Sequence, residues 1–187
     1  VAVNRELIVG AALGILDEFG LADMSMRRIG DALGVQAATI YWHIPNKQAL
    51  LAGVSDAILA DVPVPVTDQP LAAGLDAWAR SLRSVLLGHR DAAEVVAATL
   101  AVGLGERVPD EGCVAALRRA GWDEVRARQA ARAALHFVLG HVTQEQTRRN
   151  LVDFGVLKSP IDVLDDEGFT VGLDIVVRGI AGWSPQA

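Results

Sequence analysis

The sequence predicts an all-α fold built in two parts. Apolar residues recur at spacings of three and four along most of the chain, helix-capping residues punctuate that pattern, and no segment shows the two-residue alternation of a strand. Pro63 and Pro65 restrict the residues before them, so Val62–Asp68 is expected as an extended connector. The expected organisation is a three-helix domain over 1–45, a connecting helix and proline-rich linker over 46–68, and a second helical domain over 69–187.

Leu7, Ile8, Ala11, Ile15 and Phe19 share one face of a first helix, which Gly20 ends. Ser25 is an N-cap for a short second helix carrying Ile29 and Leu33, and Gly34 stops it in a positive-φ turn. A third short helix is expected near Gln36 to His43. Pro45-Asn46 opens a fourth, with Leu50, Leu51, Val54, Ile58 and Leu59. Beyond the connector, Leu71, Leu75, Trp78, Leu82 and Leu86 form a long stripe. Asp91 with Glu94 has the spacing of a capping box. Pro109-Asp110-Glu111 starts another helix, ended by Gly121. Asp123 caps the longest one, to about Asn150. Residues 158–162 read as loop, and a last helix runs from about Asp165 to Ile180.

At 187 residues the chain has no room for a large multidomain enzyme. The net charge of −6 excludes nucleic-acid binding through a global field and leaves only a local patch. A single cysteine, Cys113, excludes an internal disulfide framework and fits a reducing cytoplasm. The sequence lacks the basic, apolar and cleavage-site pattern of a signal peptide and any apolar run of bilayer length, so neither a signal peptide nor a membrane span is expected. The chain begins at Val1, which leaves room for a preceding basic leader.

Residues 25–44 fit a helix-turn-helix, with Ile29, Leu33, Val35 and Ile40 locking two short helices across Gly34. The second helix must then present polar side chains to a major groove. Thr39, Tyr41, Trp42 and His43 lie in that segment and make poor core material. Thr39 can touch a thymine methyl or a phosphate, and Tyr41 and His43 can donate to phosphate oxygens. Trp42 can pack on the sugar-phosphate wall. Lys47 adds charge at a helix start suited to phosphate. Arg27 can reach a guanine edge, and Ser25 can offer its hydroxyl to the DNA backbone. The same spacing also fits half-buried aromatics in a small bundle.

The run Thr39-Ile40-Tyr41-Trp42-His43-Ile44, followed by Asn46-Lys47-Gln48-Ala49-Leu50-Leu51, resembles the TetR family of bacterial repressors, in its tetracycline-repressor subgroup. The resemblance spans Asn4 to about Leu59. It resumes at Leu117-Arg118, Gly121-Trp122 and His136–Gly140. It implies an obligate homodimer with an N-terminal DNA-binding domain in each subunit and a C-terminal effector-binding and dimerisation domain. It also implies that Ser25, Arg27, Thr39, Tyr41, Trp42, His43 and Lys47 contact a double-stranded operator. Gln36, Ala37 and Ala38 fall where relatives differ in operator preference. They are mostly small and are not expected to make bidentate base contacts, so no operator sequence is predicted.

The local charge needs facing. Residues 1–62 hold four basic side chains, Arg5, Arg27, Arg28 and Lys47, against seven acidic ones. Three of the four cations lie in or beside the helix-turn-helix, so binding should depend on sequence contacts and fall with salt.

Small residues along the long helix permit close helix approach, and the nearly uncharged last helix needs cover on more than one side. Packing within one subunit is the alternative to a dimer. Trp78, Leu82, Val96, Thr99, Leu100 and His136 are candidate effector contacts, with His89, Gln129 and Gln144 as further polar groups. The subgroup's metal-chelate ligands are missing. Its two histidines fall near Val62 or Pro63 and near Val96 or Gly103, its asparagine and phenylalanine fall at Trp78 and Leu82, and its acidic residue falls near Gln144. A bulkier, less polar effector than a magnesium–tetracycline chelate is expected, with no cofactor or metal.

An enzyme is not expected. His136 and His141 lie five apart, about 140° round a helix, and do not form a zinc pair. Gly103-Leu104-Gly105 follows no strand. No nucleophile elbow or serine–histidine–acid set is visible. The expected function is a transcriptional repressor released by a small effector. The alternative is a small-molecule-binding helical module without DNA-binding output.

Overall fold

The computed structural model describes residues 3–63, 69–158 and 165–183. Most of the expected connector and of the loop at 158–162 lies outside them. The described residues contain α-helices and one 3₁₀ turn, and no strand. Packing divides the chain into a first unit, Val1–Asp61 with Leu86–Val108, and a second, Val62–Val85 with Pro109–Ala187.

In the first unit, α1 (Arg5–Phe19) starts at Asn4, whose side chain accepts from the Leu7 N–H, and ends at Gly20 with φ 86°. Its buried face is Ile8, Ala12, Ile15 and Leu16; Leu7 and Phe19, expected on that face, are exposed. Those four recur at the four- and three-residue intervals that keep side chains on one stripe. A 3₁₀ turn (Leu21–Asp23) leads to α2 (Met26–Leu33), capped by Ser25 Oγ accepting from the Arg28 N–H at 3.2 Å. Gly34 closes α2 in the left-handed region, and α3 (Ala37–His43) follows. Asn46 caps α4 (Lys47–Leu59), accepting from the Ala49 N–H at 2.8 Å.

The remaining helix of this unit is α6 (Ala92–Ala101), which packs on α4. The domain boundary expected at residue 68 follows the chain, whereas packing assigns 86–108 to the N-terminal unit. The reason is composition: Ala92, Ala93, Val95 and Val96 bury a continuous apolar face. Both ends of α6 are tied down by carboxylates. Asp91 accepts from the Leu21 N–H at 2.8 Å, and Asp56 on α4 accepts from the Glu106 and Arg107 N–H groups at 2.9 Å each. The expected Asp91–Glu94 capping box is corrected: Asp91 sits at φ 54° and makes no side-chain cap. Its carboxylate serves the distant turn instead.

The second unit holds most of α5 (Leu71–Leu87), then α7 (Glu111–Arg119), α8 (Glu124–Asp153) and α9 (Asp166–Gly182). Asp123 and Asp165 cap α8 and α9 through backbone N–H groups. Arg83 joins three helices: it donates to Glu145 on α8 at 3.0 Å and to Asp166 on α9 at 2.7 Å, with its guanidinium 4.8 Å from the Phe169 ring. Arg149 also donates to Glu145, so this buried carboxylate meets two cations. Gly172 lets Phe137 approach closely; a Cβ there would come within 2.6 Å of that ring.

Candidate nucleic-acid interface

The helix-turn-helix is held by backbone as much as by side chains. The Val35 N–H donates to the Gly30 carbonyl at 2.9 Å, folding the turn back on α2. A Cβ at Gly30 would lie 2.8 Å from the Val35 oxygen, so only glycine fits this approach. Ile29, Ile40 and Ile44 are fully buried beneath the turn. Burying each such side chain stabilises by roughly 1.5–3 kcal/mol, which fixes how α3 sits on α2.

With Ile40 and Ile44 inward, helical phase carries Tyr41 and Trp42 outward. Trp42 is 87% exposed and Tyr41 is 51% exposed. Gln36 is exposed, Ala37, Thr39 and His43 are half-buried, and Lys47 is exposed at the start of α4. The alternative of half-buried aromatics fails for Trp42, whose ring touches solvent on nearly every side. Ser25 is exposed, and its oxygen already accepts one capping hydrogen bond.

The cations divide into two kinds. Arg27 leaves its side chain 90% exposed, with Asp31 3.9 Å away. Arg28 instead donates to Asp23 at 2.6 Å and lies 3.7 Å over the Phe19 ring. It braces α2 against the preceding turn and α1. Counting charges in the sequence credits Arg28 to the DNA-facing patch; the fold gives it to the scaffold.

The candidate effector residues are not gathered in one unit. Trp78 and Leu82 are buried on α5 in the second unit, and the Trp78 indole N–H donates to the Pro109 carbonyl at 2.8 Å. Val96, Thr99 and Leu100 belong to α6 in the first unit. Thr99 is buried, and its hydroxyl has no hydrogen-bond partner. His136 is exposed: Leu135, Val138, Leu139 and Val142 form the buried face of α8, and His136 turns away from it. His141 is half-buried, 5.2 Å from the Phe169 ring and 6.0 Å from that of Phe137. Burial pushes its pKa down, and Arg83 adds to this while Glu145 opposes it. A cavity of about 220 Å³ in the second unit is lined by Gln129 with Trp122, Arg126 and Trp183, and by none of the six candidates.

Sequence reasoning missed Asp56 and the long-range role of Asp91. Their backbone partners lie 50 and 70 residues away, and no local pattern marks such a contact. Among the described residues, no three His, Cys, Asp or Glu side chains group as a metal site, and no helix is long and apolar enough to cross a membrane.

Residues 8–54 match the family described as bacterial regulatory proteins, tetR family, and residues 64–164 match the tetracyclin repressor-like C-terminal domain. The tetracycline repressor protein class A from transposon 1721 of Escherichia coli is 32% identical, over 93% of this chain and 88% of that protein. The crystal structure of Mycobacterium smegmatis BioQ is 34% identical with a TM-score of 0.88, covering 97% of this chain and 99% of the other. A BioQ structure with its natural double-stranded DNA operator is 33% identical with a TM-score of 0.84, covering 97% and 100%. A TetR variant from Acinetobacter baumannii AYE in complex with minocycline is 29% identical with a TM-score of 0.77, covering 95% and 96%. An outward-facing recognition segment on a glycine-locked helix-turn-helix and two family matches along the chain lead to one conclusion: this protein belongs to the TetR family of transcriptional regulators.

Proposed function

We propose that the protein is a cytoplasmic homodimeric repressor, not an enzyme, which binds a near-palindromic operator and is released by a small, largely apolar effector. The observation that carries this reading is the contrast on α3 between fully buried Ile40 and 87% exposed Trp42. A ring so placed at the head of a helix-turn-helix suits a groove wall. Arg27, Thr39, Tyr41, His43 and Lys47 are the accompanying contacts. The operator-bound BioQ structure supports a duplex as partner.

Dimerisation is supported by α9, which buries Phe169, Leu173 and Val177 on one side and exposes Val171 and Ile175 on the other. On α8, exposed Ala133, His136 and Gly140 leave a narrow small-residue face suited to a second copy. The minocycline complex supports a small-molecule effector, and the unpartnered Thr99 hydroxyl is a ready polar anchor among apolar residues. Asp56 links the loop after α6 to α4, so an effector that moves this loop biases the reading head.

The test is selection of duplexes from a random pool, followed by sedimentation of the complex. The expected product is two subunits on half-sites about 34–36 Å apart. Failure to enrich any duplex, or binding by a lone subunit, would overturn the proposal; the first outcome is that of a binding module without DNA output.

A further inference from the structure

Resting on that reading, we infer that the Gln36 side chain reads an adenine in each operator half-site. Three other helices of the first unit start with a residue whose side chain is committed to capping: Asn4 accepts from Leu7, Ser25 from Arg28 and Asn46 from Ala49. Gln36 holds the equivalent place before α3 and makes no side-chain cap. Its backbone carbonyl instead accepts from the Thr39 N–H at 2.9 Å. The turn is thus served by the main chain, and the exposed carboxamide keeps its donor and acceptor.

Its neighbours point the same way. Ala37 and Ala38 bring only methyl groups and do not crowd an approaching base. Thr39 is half-buried and has a single hydroxyl. Tyr41, Trp42 and Lys47 suit the phosphate and sugar wall, which positions the helix without reading sequence. Among the described residues from 35 to 43, Gln36 carries the one side-chain carboxamide, whose donor and acceptor lie side by side in one plane. In the major groove that pair matches the N7 acceptor and N6 donor of adenine.

The experiment uses the full chain and a duplex enriched by the wild-type protein, with every base pair of the half-site replaced symmetrically. Anisotropy titrations compare wild type, Gln36→Ala and Gln36→Glu. For wild type, replacing one A·T pair should weaken binding roughly tenfold or more. Gln36→Ala should bind the original and replaced duplexes equally, with unchanged melting temperature and salt slope. Gln36→Glu, an acceptor only, should move the preference at that position toward cytosine. The inference is overturned if Gln36→Ala keeps the wild-type preference everywhere, if it loses affinity equally on all duplexes, or if Gln36→Glu changes no preference. Absence of any enriched duplex would instead overturn the repressor reading.

Discussion

The guanidinium of Arg28 lies 3.7 Å from the centroid of the Phe19 ring, while its Nη1 donates to Asp23. Its neighbour Arg27 is exposed and only loosely paired. Two adjacent arginines therefore have different work. Arg28→Ala should destabilise the protein by about 1 kcal/mol through the lost cation–π contact and ion pair, lowering the melting temperature. Arg27→Ala should leave melting unchanged. Its operator affinity should fall, by about 1–3 kcal/mol at one guanine position. Equal melting losses in the two variants would contradict this division.

Lys47 is exposed in the first turn of α4. If it neutralises one phosphate, Lys47→Ala should weaken binding similarly on all duplexes. The slope of log affinity against log salt should shrink by about 1 for each subunit's contact. Titrations between 50 and 200 mM salt, roughly the range over which such slopes are read, check this.

Asp56 receives backbone N–H groups from the loop after α6. Asp56→Ala leaves both donors to solvent and should cost about 1 kcal/mol. The sharper readout is local: amide exchange at Glu106 and Arg107 should speed up relative to α1. Unchanged exchange there would remove Asp56 from the link between that loop and α4.

Gly30 tolerates no side chain beside the Val35 carbonyl. Gly30→Ala should force the turn apart at a cost of roughly 1–3 kcal/mol and reduce operator affinity beyond its effect on melting. Gly14 on α1, exposed and with nothing near an added Cβ, is the control at which Gly→Ala leaves both the fold and operator affinity intact.

The His141–Asp166 region sets a direction of pH dependence. Burial, aided by Arg83, lowers the His141 pKa from its ordinary 6.5. The unfolded chain then takes up its proton first as pH falls, so this stability is full above about pH 6.5 and is lost below it. The hydrogen bond from Arg83 holds the Asp166 carboxyl below its ordinary 3.8, so that contribution persists until far more acidic pH. Melting temperature should therefore drop between pH 7 and pH 5, with a smaller drop in His141→Gln. Identical profiles would contradict the assignment.

Local chemistry made the helices legible. Ser25, Asn46 and Asp123 cap where their side chains suggest, and Gly20 and Gly34 turn with positive φ. The outward face of α3 was legible for the same reason, since exposed Tyr41 and Trp42 lie between buried Ile40 and Ile44. Long-range relations were not. Asp91 has the spacing of a capping box, yet its carboxylate serves Leu21. His136 sits among small residues in sequence, but helical phase turns it out, while half-buried His141 packs on Phe169. The packing of α6 on α4 joins elements far apart in the chain, which no local pattern marks.

The proposed operator contact rests on the outward face of α3, and Tyr41→Ala probes it most directly. With a two-half-site duplex enriched by the wild-type protein, anisotropy should show affinity reduced at least severalfold, with dimer mass and melting temperature unchanged. Wild-type affinity in a folded, dimeric Tyr41→Ala protein would contradict the account.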